Sequence, residues 1–222
     1  MRSYLATVDA GHQFIGQKGG LPWQPPYGPG LPQEMNHFLE TTKGGILIVG
    51  RRTFEERGKP YPHVRETIVV SKDAGGEIAA SGATVAASLV DAVSVARAIT
   101  GTEGRAGADT PMTKEDIWIC GGRNIYAEAI DSQLASCLLL TSVEADFEGS
   151  HRKTALLCEV VKFSFAWCLF VCAGDVQFPD KSIWEEAFPV EVEEPRTFTD
   201  GNIKCTIHHR CSLRHWLSNN TM

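Results

Sequence analysis

Glu34 is the residue with the clearest chemical promise. It stands in Leu31 to Thr42, where Leu31, Met35, Phe38 and Leu39 recur at helical spacing and Pro32 suits a first turn. Glu34 and Phe38 lie four apart and share a face. An acid beside an apolar stripe is costly to ionise, so its pKa rises and it can relay a proton near neutral pH. A glutamate at a helix boundary in water is the plainer reading, and the spacing alone does not choose between them.

Two glycine turns offer a second chemistry. Gly121-Gly122-Arg123-Asn124-Ile125-Tyr126 follows the apolar run Ile117 to Cys120 and precedes a helical pattern. Glycine lets the backbone approach a phosphate, and a helix start presents N–H groups to it. The pattern is not that of three spaced glycines with a later acid, and a tight structural turn explains it equally well. Gly50-Arg51-Arg52-Thr53 closes another apolar run in the same way, with Ser71-Lys72 after the next. Each reads singly as a solvated charged turn. Two such turns on one sheet suit a dinucleotide carrying an extra phosphate. No Ser-His-Asp order, His-Glu-x-x-His or paired Cys-x-x-Cys is present. Cys205, His208, His209 and Cys211 make a poor metal set, because adjacent histidines on a strand point to opposite faces. No metal is expected.

The positioning elements follow from the apolar runs. Tyr4 to Val8, Gly45 to Val49, Thr67 to Val70, Ala83 to Ala86, Ile117 to Cys120 and Cys137 to Thr141 read as buried strands. Helices are expected at Leu31 to Thr42, Thr53 to Arg57, Leu89 to Ile99 with Ser88 as cap, and Ile125 to Ile130. Phe14 to Gly20 reads as a mobile glycine-rich loop, Gln24 to Gly30 as irregular, and Thr100 to Met112 as a surface loop. Ile203 to His208 reads as a late, antiparallel strand. Strands alternating with helices imply an α/β domain with a mostly parallel sheet covered on both faces.

Composition bounds the class. The chain has 222 residues, 43% of them apolar, and 27 acidic against 21 basic residues give a net charge of −6. That argues against binding nucleic acid or an anionic membrane. No apolar run of signal-peptide length opens the chain, and the seven cysteines form no repeated pair, so a cytosolic protein with reduced thiols is expected.

Taken together, these stretches resemble dihydrofolate reductase. The matching residues are Ile15-Gly16, Gly20-Leu21-Pro22-Trp23, Leu31-Pro32-Gln33-Glu34-Met35 with Phe38, Val49 to Phe54, Ile119 to Gly122 with Tyr126, Leu140-Thr141, and Phe147-Glu148-Gly149, resuming at Asp175 to Pro179. The resemblance implies a three-layer α/β fold with a mostly parallel sheet, an antiparallel C-terminal strand and helices on both faces. It also implies NADPH-dependent reduction of dihydrofolate at C6. Glu34 would hold the pterin and promote protonation at N5, with Thr141 sharing its water network and Trp23 placing that water. Phe38 would flank the aminobenzoyl group, Arg65 would take the substrate's carboxylate, and Leu5, Cys120 and Tyr126 would complete the substrate pocket. Ala6 and Thr7 would face the nicotinamide, with Ile15, Gly16 and Gly20 beside it. Gly50, Arg52, Thr53, Gly121, Gly122, Arg123, Asn124 and Ile125 would cradle the pyrophosphate, with Arg51, Ser71 and Lys72 toward the 2′-phosphate. A monomer is implied, coupled in function to a separate thymidylate synthase that supplies dihydrofolate.

Ser150 to Gly174 interrupts the match. Those 25 residues hold three of the seven Cys and three of the ten Phe, and removing them joins Gly149 to Asp175 in family register. The segment reads as an insertion within one domain spanning residues 1–222, a retained intron being one source and a lineage-specific element the other. Its apolar run from Phe163 to Gly174 is shorter than the ~20 residues a membrane span needs. Two other readings stand beside the reductase: a riboflavin-pathway pyrimidine reductase of the same fold, and a non-catalytic product disabled by the segment.

Overall fold

The computed structural model describes residues 3–9, 14–16, 20–26, 28–73, 76–101, 117–144 and 176–220. Segment 150–174 and residues 102–112 of the expected surface loop lie outside them. In chain order the elements are β1 (Ser3–Asp9), β2 (Phe14–Gly16), α1 (Pro32–Thr42), β3 (Ile46–Gly50), α2 (Arg51–Arg57), β4 (Glu66–Val70), α3 (Glu77–Ala80), β5 (Thr84–Ala86), α4 (Leu89–Thr100), β6 (Ile117–Ile119), α5 (Arg123–Asp131), β7 (Cys137–Glu144), β8 (Val176–Gln177), α6 (Lys181–Ala187), β9 (Val190–Glu191), β10 (Arg196–Asp200), β11 (Ile203–Cys211) and α7 (Leu213–Asn220).

The main sheet runs β10-β11-β7-β1-β6-β3-β4-β5, with β9 also paired to β11. From β7 to β5 every pairing is parallel, whereas β11 runs antiparallel to β7 and to β10. The expected sheet, mostly parallel with an antiparallel late strand, is what forms. Continuous apolar runs make sense in such a sheet because both of its faces are covered. Successive side chains of β3 go to opposite cores. Ile46 and Ile48 join Ile117, Ile119, Leu138, Leu140 and the buried faces of α4 and α5. Leu47 and Val49 join Val69, Trp118, Leu139 and Phe54 of α2. A third cluster, Trp23, Leu31, Val143, Ile203 and Cys205, seats the start of α1 over β7 and β11.

Trp118 fills the second core and is 2% exposed. Truncating it to Ala should cost about 3–5 kcal/mol, through lost transfer energy and the cavity left behind. Chemical denaturation measures this, and a loss under ~1 kcal/mol would contradict the packing described.

Three expectations are corrected. The stretch expected as a mobile loop contains β2, which pairs with β8 in a separate two-stranded sheet. Helices α2 and α5 each start two residues early, at Arg51 and Arg123, because Gly50 and Gly122 serve as extended N-cap residues. Strand β7 continues to Glu144, since β1 and β11 pair with it along its length. The apolar stripe that opens at Leu31, itself in the third cluster, is half-buried along α1. Met35, Phe38 and Leu39 are only half-buried, while Glu34 and Thr42 are the helix's buried residues. By contrast Ser88 caps α4 as expected, its hydroxyl accepting from the Asp91 N–H at 3.1 Å. Among the described residues no helix is long and apolar enough to cross a membrane.

Candidate active site

The carboxyl ends of the parallel strands collect the residues of interest. Loops at this edge are where ligands bind in such sheets. Strand β1 sets Thr7 beside Thr141 and Leu5 beside Leu139. Its register with β6 stops at Tyr4↔Ile119, so Ala6 and Thr7 continue past that strand, and Cys120, directly after β6, is half-buried.

Next to β6 the two glycine turns meet. The Gly50 N–H donates to the Gly121 carbonyl at 2.7 Å, and the Cys120 N–H to the Ile48 carbonyl at 2.9 Å. A Cβ on Gly50 would come 3.0 Å from Ile125 Cγ1, and one on Gly122 3.2 Å from Thr53 Oγ1. Gly121 has φ +95°, and its peptide bond to Gly122 is cis. The starts of α2 and α5 therefore sit side by side, with Gly50, Gly121 and Gly122 where they meet. Paired helix N-termini of this kind suit a pyrophosphate. Arg52, Arg123 and Asn124 are exposed around them, with Thr53 half-buried. Arg51 is exposed and faces Glu55 at 3.7 Å. On the next strand Ser71 is buried, its Oγ accepting from the Asp73 N–H at 3.2 Å, and Lys72 is exposed. Ile15 is packed on the first core, Gly16 is buried and Gly20 is half-buried.

Glu34 lies toward the other end of this edge and is 6% exposed. Its helix begins at Leu31, which has no side-chain acceptor. The first-turn N–H groups instead meet Asp200, whose Oδ2 accepts from Gln33 at 2.7 Å and Glu34 at 3.2 Å. Trp23, 1% exposed, is fixed by its place in the third core and by its carbonyl, which accepts from the Gly30 N–H at 2.7 Å. Thr141 is fully buried, and its hydroxyl has no hydrogen-bond partner among the described residues. A buried hydroxyl of that kind awaits a water or a ligand.

Tyr126 is buried and stacks edge-on to Phe178 at 5.0 Å. Burial pushes its pKa well up, and the nearby Cys120, Tyr61 and Glu34 raise it further. An aromatic wall stands nearby, with Phe38 lying 6.0 Å from the Tyr61 ring and 5.7 Å from His63. Burial, then Cys120, drives Tyr61 up to about 12, despite the Arg57 guanidinium 4.4 Å over its ring. His63 Nε2 and Thr42 Oγ1 are 2.7 Å apart, which ties the wall to α1. Arg65 is exposed just before β4, its N–H donating to the Gly45 carbonyl.

Tyr61, His63 and Asp200 escaped the sequence reading. The first two sit in Lys59-Pro60-Tyr61-Pro62-His63, where proline-flanked aromatics were the only signal. Asp200-Gly201 is a hairpin signal, but it carries no hint of its partner.

A mostly parallel sheet carries two adjoining glycine turns at its carboxyl edge, with the buried acids Glu34 and Asp200 toward the other end of that edge, an arrangement suited to a dinucleotide-dependent enzyme. Comparison with known proteins gives the particular family. The dihydrofolate reductase family profile matches residues 3–156. The chain is 30% identical over 152 residues to the dihydrofolate reductase of Bacillus subtilis, covering 68% of this chain and 74% of that one. It is also 30% identical over 152 residues to the type A13 enzyme of Escherichia coli (67% and 75% covered). With the type 3 enzyme of Salmonella typhimurium the identity is 32% over 146 residues (65% and 74%). The chain belongs to the dihydrofolate reductase family.

Proposed function

We propose that this chain reduces 7,8-dihydrofolate to 5,6,7,8-tetrahydrofolate with NADPH, using Glu34 as its only acid. The observation that carries the reading is the buried Glu34 on α1 at the same sheet edge as the partnerless Thr141 hydroxyl and the glycine turns. NADPH, when bound, supplies the hydride that goes to C6. Everything else asked of the protein is binding and proton management, which needs no nucleophile.

Glu34 holds the pterin's amino edge and favours protonation at N5, with Thr141 and a water placed by Trp23 completing the network. The carbonyls of Leu5 and Cys120 face the pterin, and those of Ala6 and Thr7 the nicotinamide amide. Phe38, Tyr61 and His63 flank the aminobenzoyl group, and Arg65 takes the carboxylate beyond it. The glycine turns fit the pyrophosphate because any Cβ there would fill the cradle. Arg51, Lys72 and Ser71 favour the cofactor with a 2′-phosphate. The enzyme works as a monomer supplied by a separate thymidylate synthase.

Segment 150–174 is an insertion in a single domain. Two facts support this. The family match ends at residue 156, inside the segment. Directly beyond it Val176–Gln177 pairs with β2, and Phe178 returns to the core against Tyr126. Dihydrofolate-dependent NADPH oxidation is to be assayed for the whole chain and for one lacking residues 150–174. The shortened chain is expected to fold and to be at least as active as the whole. Activity confined to the whole chain would make the segment part of the enzyme, and no activity in either would overturn the function.

A further inference from the structure

We propose that Asp200 is a positioning residue for Glu34, a carboxylate from the far end of the chain that sets the place and the electric field of the reacting acid. The inference rests on the reading of Glu34 given above.

Helix α1 cannot cap itself. Pro32 lacks an N–H, Leu31 gives no side-chain hydrogen bond, and Glu34 is buried although Pro32 and Gln33 are exposed. One oxygen of Asp200, itself 5% exposed, takes both the Gln33 and Glu34 N–H groups at 2.7 and 3.2 Å. Gln33 Nε2 donates to the Thr199 carbonyl at 2.7 Å, a second tether to the same strand. Asp200 is held in turn by a two-residue hairpin loop, Gly201-Asn202, with Asp200 opposite Ile203 and Gly201 at φ +62°. Strand β11 continues from there to pair Ile207 with Thr141. Glu34 and Thr141, on a helix and a strand far apart in sequence, are therefore fixed to one frame through β10 and β11.

The field has a definite sign. A helix start favours negative charge and would help Glu34 ionise. The Asp200 carboxylate occupies that positive end first and repels a second negative charge beside it. Both acids act on one spot: the buried Cys205 thiol on β11 is pushed up to about 11 by burial, then by Asp200, Glu34 and Glu144. From α5, Tyr126 faces Glu34. On α1 itself His37 is lowered by burial and by Arg196 of β10. Asp200 thus keeps the proton on Glu34 to higher pH.

Two variants separate position from charge. Asp200→Asn keeps the acceptor and removes the charge, whereas Asp200→Ala removes both. The readouts are the pH profile of kcat/KM for dihydrofolate, the Kd for NADPH and the denaturation midpoint. Both variants should move the alkaline fall in activity to lower pH and leave NADPH affinity unchanged. Asp200→Ala should also lose roughly tenfold in kcat/KM, which Asp200→Asn recovers. If the Ala variant does not fold, the isosteric Asn variant decides through its pH profile. An unmoved pH profile, or a lowered midpoint as the only change, would overturn the proposal. Failure of the Glu34 reading is distinguishable, because Glu34→Gln would then show the wild-type profile.

Discussion

Glu34→Gln should leave NADPH bound with unchanged affinity and reduce hydride transfer to dihydrofolate by about 10²–10³-fold at pH 7, the usual worth of one placed acid. Glutamine has the same shape and keeps the Glu34 N–H bond to Asp200, so the helix start and the fold are preserved. What it lacks is a transferable proton and a charge to match the pterin's amino edge. The Glu34 side chain is buried, and the water of its network is a far weaker acid than a carboxyl group. The wild-type rate should fall as pH rises and Glu34 loses its proton. The variant has no such group, so its rate should follow only protonation of the substrate from solution. The gap between the two should therefore narrow as pH falls. Stopped-flow transfer from pH 5 to 9, with NADPH binding read by tryptophan fluorescence, tests both parts. A variant within threefold of wild type at pH 7 would remove Glu34 from the mechanism.

How much of this was legible in the residues depends on distance along the chain. The parallel strands were readable because a sheet covered on both faces needs unbroken apolar runs, and Ile46 to Val49 is one. Helix α4 carried its own cap in Ser88 and was readable from that cap to within one residue of its end. Helices α2 and α5 were readable except for their starts, where arginines after glycine give no apolar or capping signal. Strands of two or three residues, such as β2 and β8, have too few positions to show a period. The stripe on α1 exposes a different limit. Periodicity identifies an apolar face without distinguishing a core from a cleft wall, and Phe38 faces Tyr61 and His63 at the cleft. Glu34 was found through its local pattern. Asp200 was not, because it acts across 166 residues and only the folded sheet brings it to α1.

The cradle gives the second large effect. Gly121→Ala should weaken NADPH binding by at least tenfold while kcat at saturating NADPH changes little. At φ +95° any side chain strains the backbone, at a cost of about 1–3 kcal/mol. A Cβ would also press on the Tyr126 ring, 3.4 Å away. The turn can relieve both only by shifting, and shifting it displaces the Gly121 carbonyl that accepts from Gly50 at 2.7 Å. Both glycine turns would move together, and binding NADPH would have to restore them. Gly82→Ala is the control. It stands at φ +88° with nothing within 4 Å of its Cβ position, between α3 and β5. Its strain should appear only as lost stability, with NADPH affinity unchanged. Denaturation of both variants with and without NADPH separates the costs, since a ligand that binds only the folded state raises its stability by an amount that grows with the logarithm of its affinity. Equal NADPH stabilisation of Gly121→Ala and Gly82→Ala would place the pyrophosphate somewhere other than this pair of turns. A smaller stabilisation of Gly121→Ala alone assigns it there.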